Sequence, residues 1–171
     1  MIEISLDADA DWDSSGTQWE NIAEAAALAA LRQSAFTHIE ASVRPVEVSL
    51  KLGKNDEVRL LNAQWRGKDK PTNVLSFPMV DEEQLEAART DGPSLLLGDM
   101  ILAYETCRDE AEEKSIGFVD HATHLMVHGM LHLLGYDHME DDEAEDMEAR
   151  EIRALETLGI ANPYSLAAET H

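Results

Sequence analysis

The segment from His128 to His138 constrains the fold more strongly than any other part of the chain. His128 and His132 are four residues apart, so in a helix they lie about 40° apart on one face and one turn from each other. Gly135 then allows the chain to leave the helix, because glycine adopts positive φ without a steric penalty. The spacing therefore predicts a helix followed by a sharp turn that returns His138 to the first two imidazoles.

Three imidazoles with an open fourth position are typical of a catalytic zinc site, in which a bound water has its pKa lowered to about 7. The pattern H-x-x-x-H-x-x-G-x-x-H matches the spacing of the metzincin zinc motif, except that Gly129 occupies the position of the motif's glutamate. That glutamate is the general base of those proteases. Glycine cannot accept a proton, so the sequence disfavours peptide hydrolysis by that mechanism.

Three further polar residues lie near the histidine pattern. His121 and His124 precede it by one and two turns on nearly the same helix face, and we expect them to be packed or to support the ligands rather than to bind metal. Asp137 is expected to hold the turn or to orient a ligand histidine, as carboxylates near metal sites commonly do. A role for Asp137 as a base is the alternative.

The charge is distributed unevenly along the chain. Thirteen Lys and Arg residues stand against 35 Asp and Glu residues, and the formal net charge of −22 argues against a general nucleic-acid-binding protein. From Arg44 to Lys70, however, seven basic residues outnumber four acidic ones. The run from Glu140 to Glu151 is strongly acidic and predicts a solvated helix face that supplies no ligand. A phosphate partner is therefore expected at the first segment and not at the second.

Length and composition indicate the class of protein. A chain of 171 residues predicts one domain over residues 1–171. The single cysteine, Cys107, excludes an internal disulfide and favours a cytoplasmic, reducing compartment. The sequence contains no apolar run of the roughly 18–20 residues that a membrane span needs and begins without a signal-peptide pattern, so no membrane association is expected.

Hydrophobic periodicity and turn residues divide the chain into strands and helices. The predicted strands are Met1–Leu6, Val46–Leu52, Thr72–Met79 and Leu95–Leu102. The predicted helices are Trp19–Ala35, Asp56–Trp65 capped by Asn55, Tyr104–Lys114, Val119–Leu134 and Glu140–Leu158. Asp81–Pro93 is expected to be an acidic loop, and Pro78 indicates a strand edge or end. This order favours an α+β fold with helices gathered toward the C terminus.

Three ordered motifs resemble the YbeY family of bacterial RNA-processing metalloproteins. They are HGMLHLLGYDH, LNAQWRGKDKPTNVLSFP (Leu61–Pro78) and LGDMIL (Leu97–Leu102). The likeness continues through Asp137–Glu151 to Asn162-Pro163-Tyr164 and covers nearly everything from Leu60 onward. The resemblance implies a zincin-like fold with a mixed four-stranded sheet and about five to six helices. It also implies an endoribonuclease active in 16S rRNA 3′-end maturation and ribosome quality control.

The resemblance further implies which residues do the chemistry. One zinc ion (Zn2+) per chain would be held by His128, His132 and His138, and the family's functional arginine corresponds to Arg66. The choice of Arg66 is physically reasonable, because the planar guanidinium suits bidentate contact with phosphate. Ser76 is a weaker catalytic candidate. The partners implied are ribosomal RNA, the small ribosomal subunit, and a small-subunit ribosomal protein or an assembly GTPase.

Two other functions remain open at this point. The first is a metallo-hydrolase that acts on another substrate, such as a peptide or a small ester. The second is a non-catalytic ribosome-assembly factor with a structural zinc, which the net charge of −22 favours. A structural zinc usually has four protein ligands, so Cys107 or His124 in the site would support the second hypothesis. For RNA cleavage, attack by water and attack by a 2′-hydroxyl both fit the sequence.

Overall fold

The computed structural model describes residues 1–13, 16–88, 92–137 and 139–164. Its strands are β1 (Ile2–Ala8), β2 (Val46–Gly53), β3 (Val74–Pro78) and β4 (Leu95–Ala103). The helices of ten or more residues are α2 (Trp19–Arg32), α4 (Asn55–Arg66), α6 (Tyr104–Glu113), α7 (Phe118–Leu133) and α8 (Asp141–Thr157). The shorter helices are α1 (Ala10–Asp13), α3 (His38–Ala41) and α5 (Glu82–Ala87). The described residues thus form eight helices rather than five to six, because one-turn helices leave little periodicity in a sequence.

The strands form one mixed sheet in the order β1-β2-β4-β3. β2 is parallel to both β1 and β4, whereas β3 is antiparallel to β4. This arrangement confirms the expected α+β fold with a mixed four-stranded sheet. β3 lies at the edge of the sheet and Pro78 is its last residue, as predicted from the amide hydrogen that proline lacks.

The main core lies on one face of the sheet, where α2 and α7 pack. Leu50 on β2 and Leu97 and Leu102 on β4 are buried on this face. Leu125 and Met130 face them from α7 and are also buried. This packing places the helix that carries the histidines directly against the sheet.

The contact between α7 and β4 is closest at two glycines. A Cβ atom on Gly98 would lie 2.5 Å from the Phe77 carbonyl oxygen and 2.6 Å from Cδ2 of Leu133. A Cβ atom on Gly129 would lie 2.6 Å from Sδ of Met100. The absence of side chains at both positions therefore allows the helix to approach the sheet.

An aromatic cluster anchors the N-terminal end of α7. Phe118 lies 5.3 Å from Trp12 and 5.5 Å from Tyr104 between ring centroids. The indole of Trp12 donates to the Gly53 carbonyl at 2.8 Å, and the indole of Trp19 donates to the Trp12 carbonyl at 2.8 Å. The start of α7 is thus tied to the end of β2 and to α1.

The opposite face of the sheet carries α4 over a smaller core. Val58 of α4 packs on Leu75 of β3 and Ile101 of β4, and all three side chains are buried. The C-terminal end of α4 also lies beside β3, since Arg66 lines one cleft together with Val74 and Ser76. The fold thus places Arg66 of α4 near the same edge strand that α7 approaches from the other face.

The expected helix cap at Asn55 is wrong. α4 begins at Asn55 itself, with Lys54 in the capping position and no side-chain cap from it. Oδ1 of Asn55 instead accepts from the backbone N–H of Thr106 at 3.1 Å, while Glu105 accepts from the N–H of Asn55 at 3.2 Å. The side chain thus stabilises the start of α6, a contact between distant segments that the local sequence does not reveal.

The expected loop Asp81–Pro93 is also wrong over its first half, because α5 occupies residues 82–87. Asp81 accepts from the N–H of Gln84 at 2.8 Å, and the Gln84 side chain accepts from the N–H of Asp81 at 3.1 Å. This reciprocal pair is a capping box. Leu85 is buried against the main core. Residues 89–91 lie outside the described part.

None of the helices in the described part of the chain has both the length and the apolar character that crossing a bilayer requires.

Replacing Gly98 with alanine should destabilise the protein by about 1–3 kcal/mol, because the added methyl group overpacks the contact between β3, β4 and α7. Denaturant unfolding of the purified variant measures this loss. Gly117→Ala is the matched control, since a Cβ atom there meets nothing within 4 Å. Equal stability of the Gly98→Ala variant and the wild type would contradict the close contact.

Candidate active site

A cleft of about 800 Å³ opens between the C-terminal ends of α4 and α7 and the edge strand β3. Five residues singled out from the sequence line it together, namely Arg66, Ser76, His128, His132 and Asp137. They come from α4, β3, α7 and the turn after α7. The fold therefore brings separate sequence motifs to one place.

The two helix histidines converge as their spacing predicts. Nε2 of His132 lies 3.1 Å from Nε2 of His128. Two nitrogens bound to one zinc at ~2.0–2.1 Å with tetrahedral angles would lie about 3.3–3.4 Å apart, so the pair fits a shared metal ion. His138, the expected third ligand, lies outside the described residues. Among the described residues no group of three His, Cys, Asp or Glu side chains converges as a metal site.

The predicted turn after the histidine helix is present. Gly135 has φ +97°, and its N–H donates to the His132 carbonyl at 3.0 Å. The N–H of Tyr136 donates to the Leu131 carbonyl at 3.0 Å, which completes a Schellman motif. The Tyr136 hydroxyl accepts from the N–H of Ala35 at 2.9 Å. The turn is thus fixed to the segment after α2, with Asp137 following at the wall of the cleft.

A buried carboxylate beneath the cleft is the main feature that the sequence analysis missed. Glu151 on α8 is 0% exposed and forms a hydrogen bond with Nδ1 of His128. The Tyr164 hydroxyl donates to the same carboxylate, and Nε2 of His124 lies 3.4 Å from it. Burial acts to raise the pKa of Glu151, but the hydrogen bonds from its three partners outweigh burial and lower the pKa to about 2. Glu151 is therefore a carboxylate at neutral pH, and its partners donate.

The expectation that the acidic helix only presents a solvated face is therefore wrong at Glu151. The buried residues of α8 are Met147, Glu151, Ala154 and Leu155, which follow the spacing of a helix stripe that faces the core. An acid on an otherwise apolar stripe was the available signal. It was hidden because Glu151 ends a run of solvated acids.

The C-terminal end of α4 presents cations to the cleft. Arg66 and Lys68 are exposed and line it. The segment between them and β3 is held by Asn62, a buried residue whose side chain donates to the Lys70 carbonyl at 2.8 Å. Arg59, about two turns earlier on nearly the same face of the helix, is instead paired with Asp69 at 2.8 Å.

Ser76 lines the cleft from the middle of β3. It is opposite Met100 in the β3–β4 register and is 9% exposed. Its hydroxyl is therefore on the face of the sheet that α7 covers, as a role in the site requires.

The residues that would indicate a structural zinc do not line the cleft. Cys107 is buried, and its Sγ lies 3.7 Å from the Asn73 carbonyl. His124 is buried and hydrogen-bonds Glu151 rather than facing the cleft. His121 is also buried, with Nε2 2.9 Å from Glu110. Both histidines are thus packed in the interior of the protein.

The chain matches the model of the family described as YbeY, endoribonuclease YbeY, over residues 10–159. It is 51% identical to the Endoribonuclease YbeY of Rhizorhabdus wittichii over 170 residues, which cover 99% of this chain and 100% of that protein. Identity to the Endoribonuclease YbeY of Sphingopyxis alaskensis is 48% over 166 residues, which cover 96% and 98% of the two chains.

A similar fold is present in the solution structure of TM1509 from Thermotoga maritima. The TM-score is 0.52 and the sequence identity is 24%. The superposition covers 92% of this chain and 91% of that chain.

The Glu110 contacts predict a pH-dependent contribution to stability. Burial acts to raise the pKa of Glu110, but hydrogen bonds from His121 and Asn73 outweigh it and lower the pKa below the ordinary 4.5. Glu110→Gln should therefore cost about 1–3 kcal/mol at pH 7. The wild-type advantage should be present above pH 4.5 and lost as the pH falls through the folded pKa.

Urea unfolding of the wild type and Glu110→Gln at several pH values between 3 and 7 measures this difference. Glu113→Gln, an exposed acid on the same helix, is the control. A stability difference that stays constant down to pH 3 would contradict the assignment.

Proposed function

The chain belongs to the endoribonuclease YbeY family, and from this membership we propose that it is a zinc-dependent endoribonuclease that prefers single-stranded RNA. The observation that carries the proposal is the pair of Nε2 atoms 3.1 Å apart, from His128 and His132, in a cleft bordered by Arg66. A metal-binding pair beside a cation suits hydrolysis of a phosphodiester. The relatives are named endoribonucleases, which supports RNA as the substrate.

The zinc ion would be held by His128 and His132 together with His138. When bound, it supplies a Lewis acid that activates the nucleophile and stabilises negative charge on the phosphate. Cys107 and His124 lie away from the cleft, which favours three protein ligands over the four of a structural site. The same observation supports an enzyme over a non-catalytic assembly factor.

Arg66 is proposed to bind the scissile phosphate. Its guanidinium is always protonated and presents parallel N–H donors that match two phosphate oxygens. Charge on the nonbridging oxygens rises as the nucleophile attacks phosphorus, and a fixed cation stabilises that charge. Lys68 follows on the same wall of the cleft and would attract the RNA backbone.

Two smaller roles complete the proposal. The hydroxyl of Ser76 would donate a hydrogen bond to the substrate from the β3 side of the cleft, opposite the histidine helix. Asp137 would orient the histidine that follows it, in the manner of carboxylates that fix metal ligands. His124 would act on the site indirectly, through its contact with Glu151.

The cellular role follows from the family. We propose that the whole chain, residues 1–171, acts as one domain in 16S rRNA 3′-end maturation and ribosome quality control in the cytoplasm. Its partners would be the small ribosomal subunit and a ribosomal protein or assembly GTPase bound to it. A protein partner also accounts for RNA recruitment by a chain with a net charge of −22.

The zinc assignment predicts that the wild type binds one zinc ion per chain and that His132→Ala retains none after dialysis against a chelator. Removing one imidazole leaves too few ligands to hold the ion against competition. Metal analysis of the dialysed proteins gives the stoichiometry. His38→Ala, which removes a histidine outside the cleft, should keep its zinc. Full zinc occupancy in His132→Ala would overturn the assignment.

The role of Arg66 predicts that Arg66→Ala keeps its zinc but cleaves single-stranded ribosomal RNA about a hundredfold more slowly or worse. Arg108→Ala removes an exposed arginine outside the cleft and should cleave at the wild-type rate. The assay follows a labelled RNA under single-turnover conditions. If His132→Ala and Arg66→Ala both cut as fast as the wild type, the activity belongs to a contaminating nuclease and the assembly-factor hypothesis gains.

A further inference from the structure

We propose that Glu151 is a positioning residue that fixes the imidazole of His128 for metal binding, and that Tyr164 of the C-terminal segment holds Glu151 in place. The inference rests on the proposed zinc site. It extends that site from α7 to α8 and to a segment beyond α8. The contacts of one buried carboxylate carry it.

The burial of Glu151 calls for a function. Its side chain is 0% exposed and lies on the apolar stripe of α8 between Met147 and Leu155. A buried carboxylate is costly unless charge-assisted hydrogen bonds compensate for lost water. An apolar residue at position 151 would satisfy the packing of α8 on α7. The hydrogen bonds to the histidines are what an apolar side chain cannot provide.

The contact with His128 determines which nitrogen faces the cleft. Oε1 of Glu151 is hydrogen-bonded to Nδ1 of His128, and a carboxylate can only accept. The proton is therefore on Nδ1, which leaves the lone pair of Nε2 directed toward Nε2 of His132 at 3.1 Å. This is the tautomer and the ring orientation that binding of a metal through Nε2 requires.

The second carboxylate oxygen is held from the other side. The Tyr164 hydroxyl donates to Oε2 of Glu151, and Nε2 of His124 lies 3.4 Å from the same atom. The Tyr164 ring packs edge-on against His124 at 5.7 Å between centroids. The N–H of Tyr164 donates to Asn162 at 2.9 Å, which shapes the turn that brings the ring back to α7.

These contacts form a continuous path from the C-terminal segment to the cleft. Tyr164 fixes Oε2, the carboxylate fixes Nδ1 of His128, and the ring presents Nε2 to the metal. A carboxylate on a ligand histidine also raises the basicity of the imidazole. Zinc affinity, more than the stability of the fold, is therefore what Glu151 and Tyr164 are expected to control.

The test uses the zinc-loaded full-length chain and two variants. Glu151→Gln keeps the shape of the side chain and removes its charge, and Tyr164→Phe removes one hydroxyl and keeps the ring. Glu145→Gln makes the same charge change on the exposed face of α8 and is the matched control. The zinc dissociation constant is measured by competition with a chromophoric chelator. Histidine-selective ¹H–¹⁵N NMR reports the hydrogen bond at Nδ1 of His128.

We expect the dissociation constant to rise about 10–100-fold in Glu151→Gln and about two- to tenfold in Tyr164→Phe, with no change in Glu145→Gln. The Nδ1–H signal of His128 should lie far downfield in the wild type and move upfield in Glu151→Gln. A merely structural role would lower thermal stability and leave this signal in place. If Glu151→Gln does not fold, Tyr164→Phe decides.

The outcomes separate the two proposals. Unchanged zinc affinity and an unchanged Nδ1–H signal in folded variants of a wild type that binds zinc and cleaves RNA would overturn the positioning role and leave the proposed function standing. A wild type that binds no zinc would overturn both.

Discussion

α7 and β4 pack closely at two glycines, each of which faces a side chain of the other element, and the position of the histidine helix on the sheet depends on this contact. A Cβ atom on Gly98 would lie 2.6 Å from Leu133, and one on Gly129 would lie 2.6 Å from Met100. Close-packed interiors transmit displacements instead of absorbing them. An added methyl group at Gly98 would lie 2.5 Å from the backbone oxygen of Phe77 and would therefore displace β3, the strand that carries Ser76. The distance across the cleft is in this sense a packing property of residues that do not line it.

The positive charge near the cleft depends on which basic residues form salt bridges more than on how many basic residues the segment contains. The segment from Arg44 to Lys70 has a basic excess, but Lys51 is paired with Glu57, Lys54 with Asp9 and Asp11, and Arg59 with Asp69. Arg66 and Lys68 are the cations of this segment that line the cleft. A net charge of −22 repels RNA at long range, so binding must rely on contacts within about a Debye length, roughly 8–10 Å. Arg66 and Lys68 are the cations of this segment in position for such short-range contacts at the cleft.

The parts of the site that could be predicted are those determined by residues close together in the sequence. The spacing of His128 and His132 and the turn at Gly135 follow from helix geometry, and the strands follow from alternation. Predicting these features required no knowledge of tertiary contacts. Glu151 was missed because its contact with His128 spans 23 residues and depends on how α8 packs on α7. Asn55 was misassigned for the same reason, since its partner Thr106 is 51 residues away.

The glycine in the place of the metzincin glutamate acquires a structural meaning from these contacts. Gly129 faces Met100 of the sheet and not the cleft, and a side chain there would collide with the methionine at its first carbon. The motif here has the two histidines without the acid, and the glycine leaves room for the side chain of Met100. Asp137 lines the cleft, and a second carboxylate lies beneath it on α8, where Glu151 is fully buried and hydrogen-bonded to Nδ1 of His128. A carboxylate placed as Glu151 is closed off from a substrate, and its contacts are with His124, His128 and Tyr164. The cleft thus combines two imidazoles with an arginine, the arrangement from which we propose phosphate chemistry, and has a glycine where a metzincin has its general base.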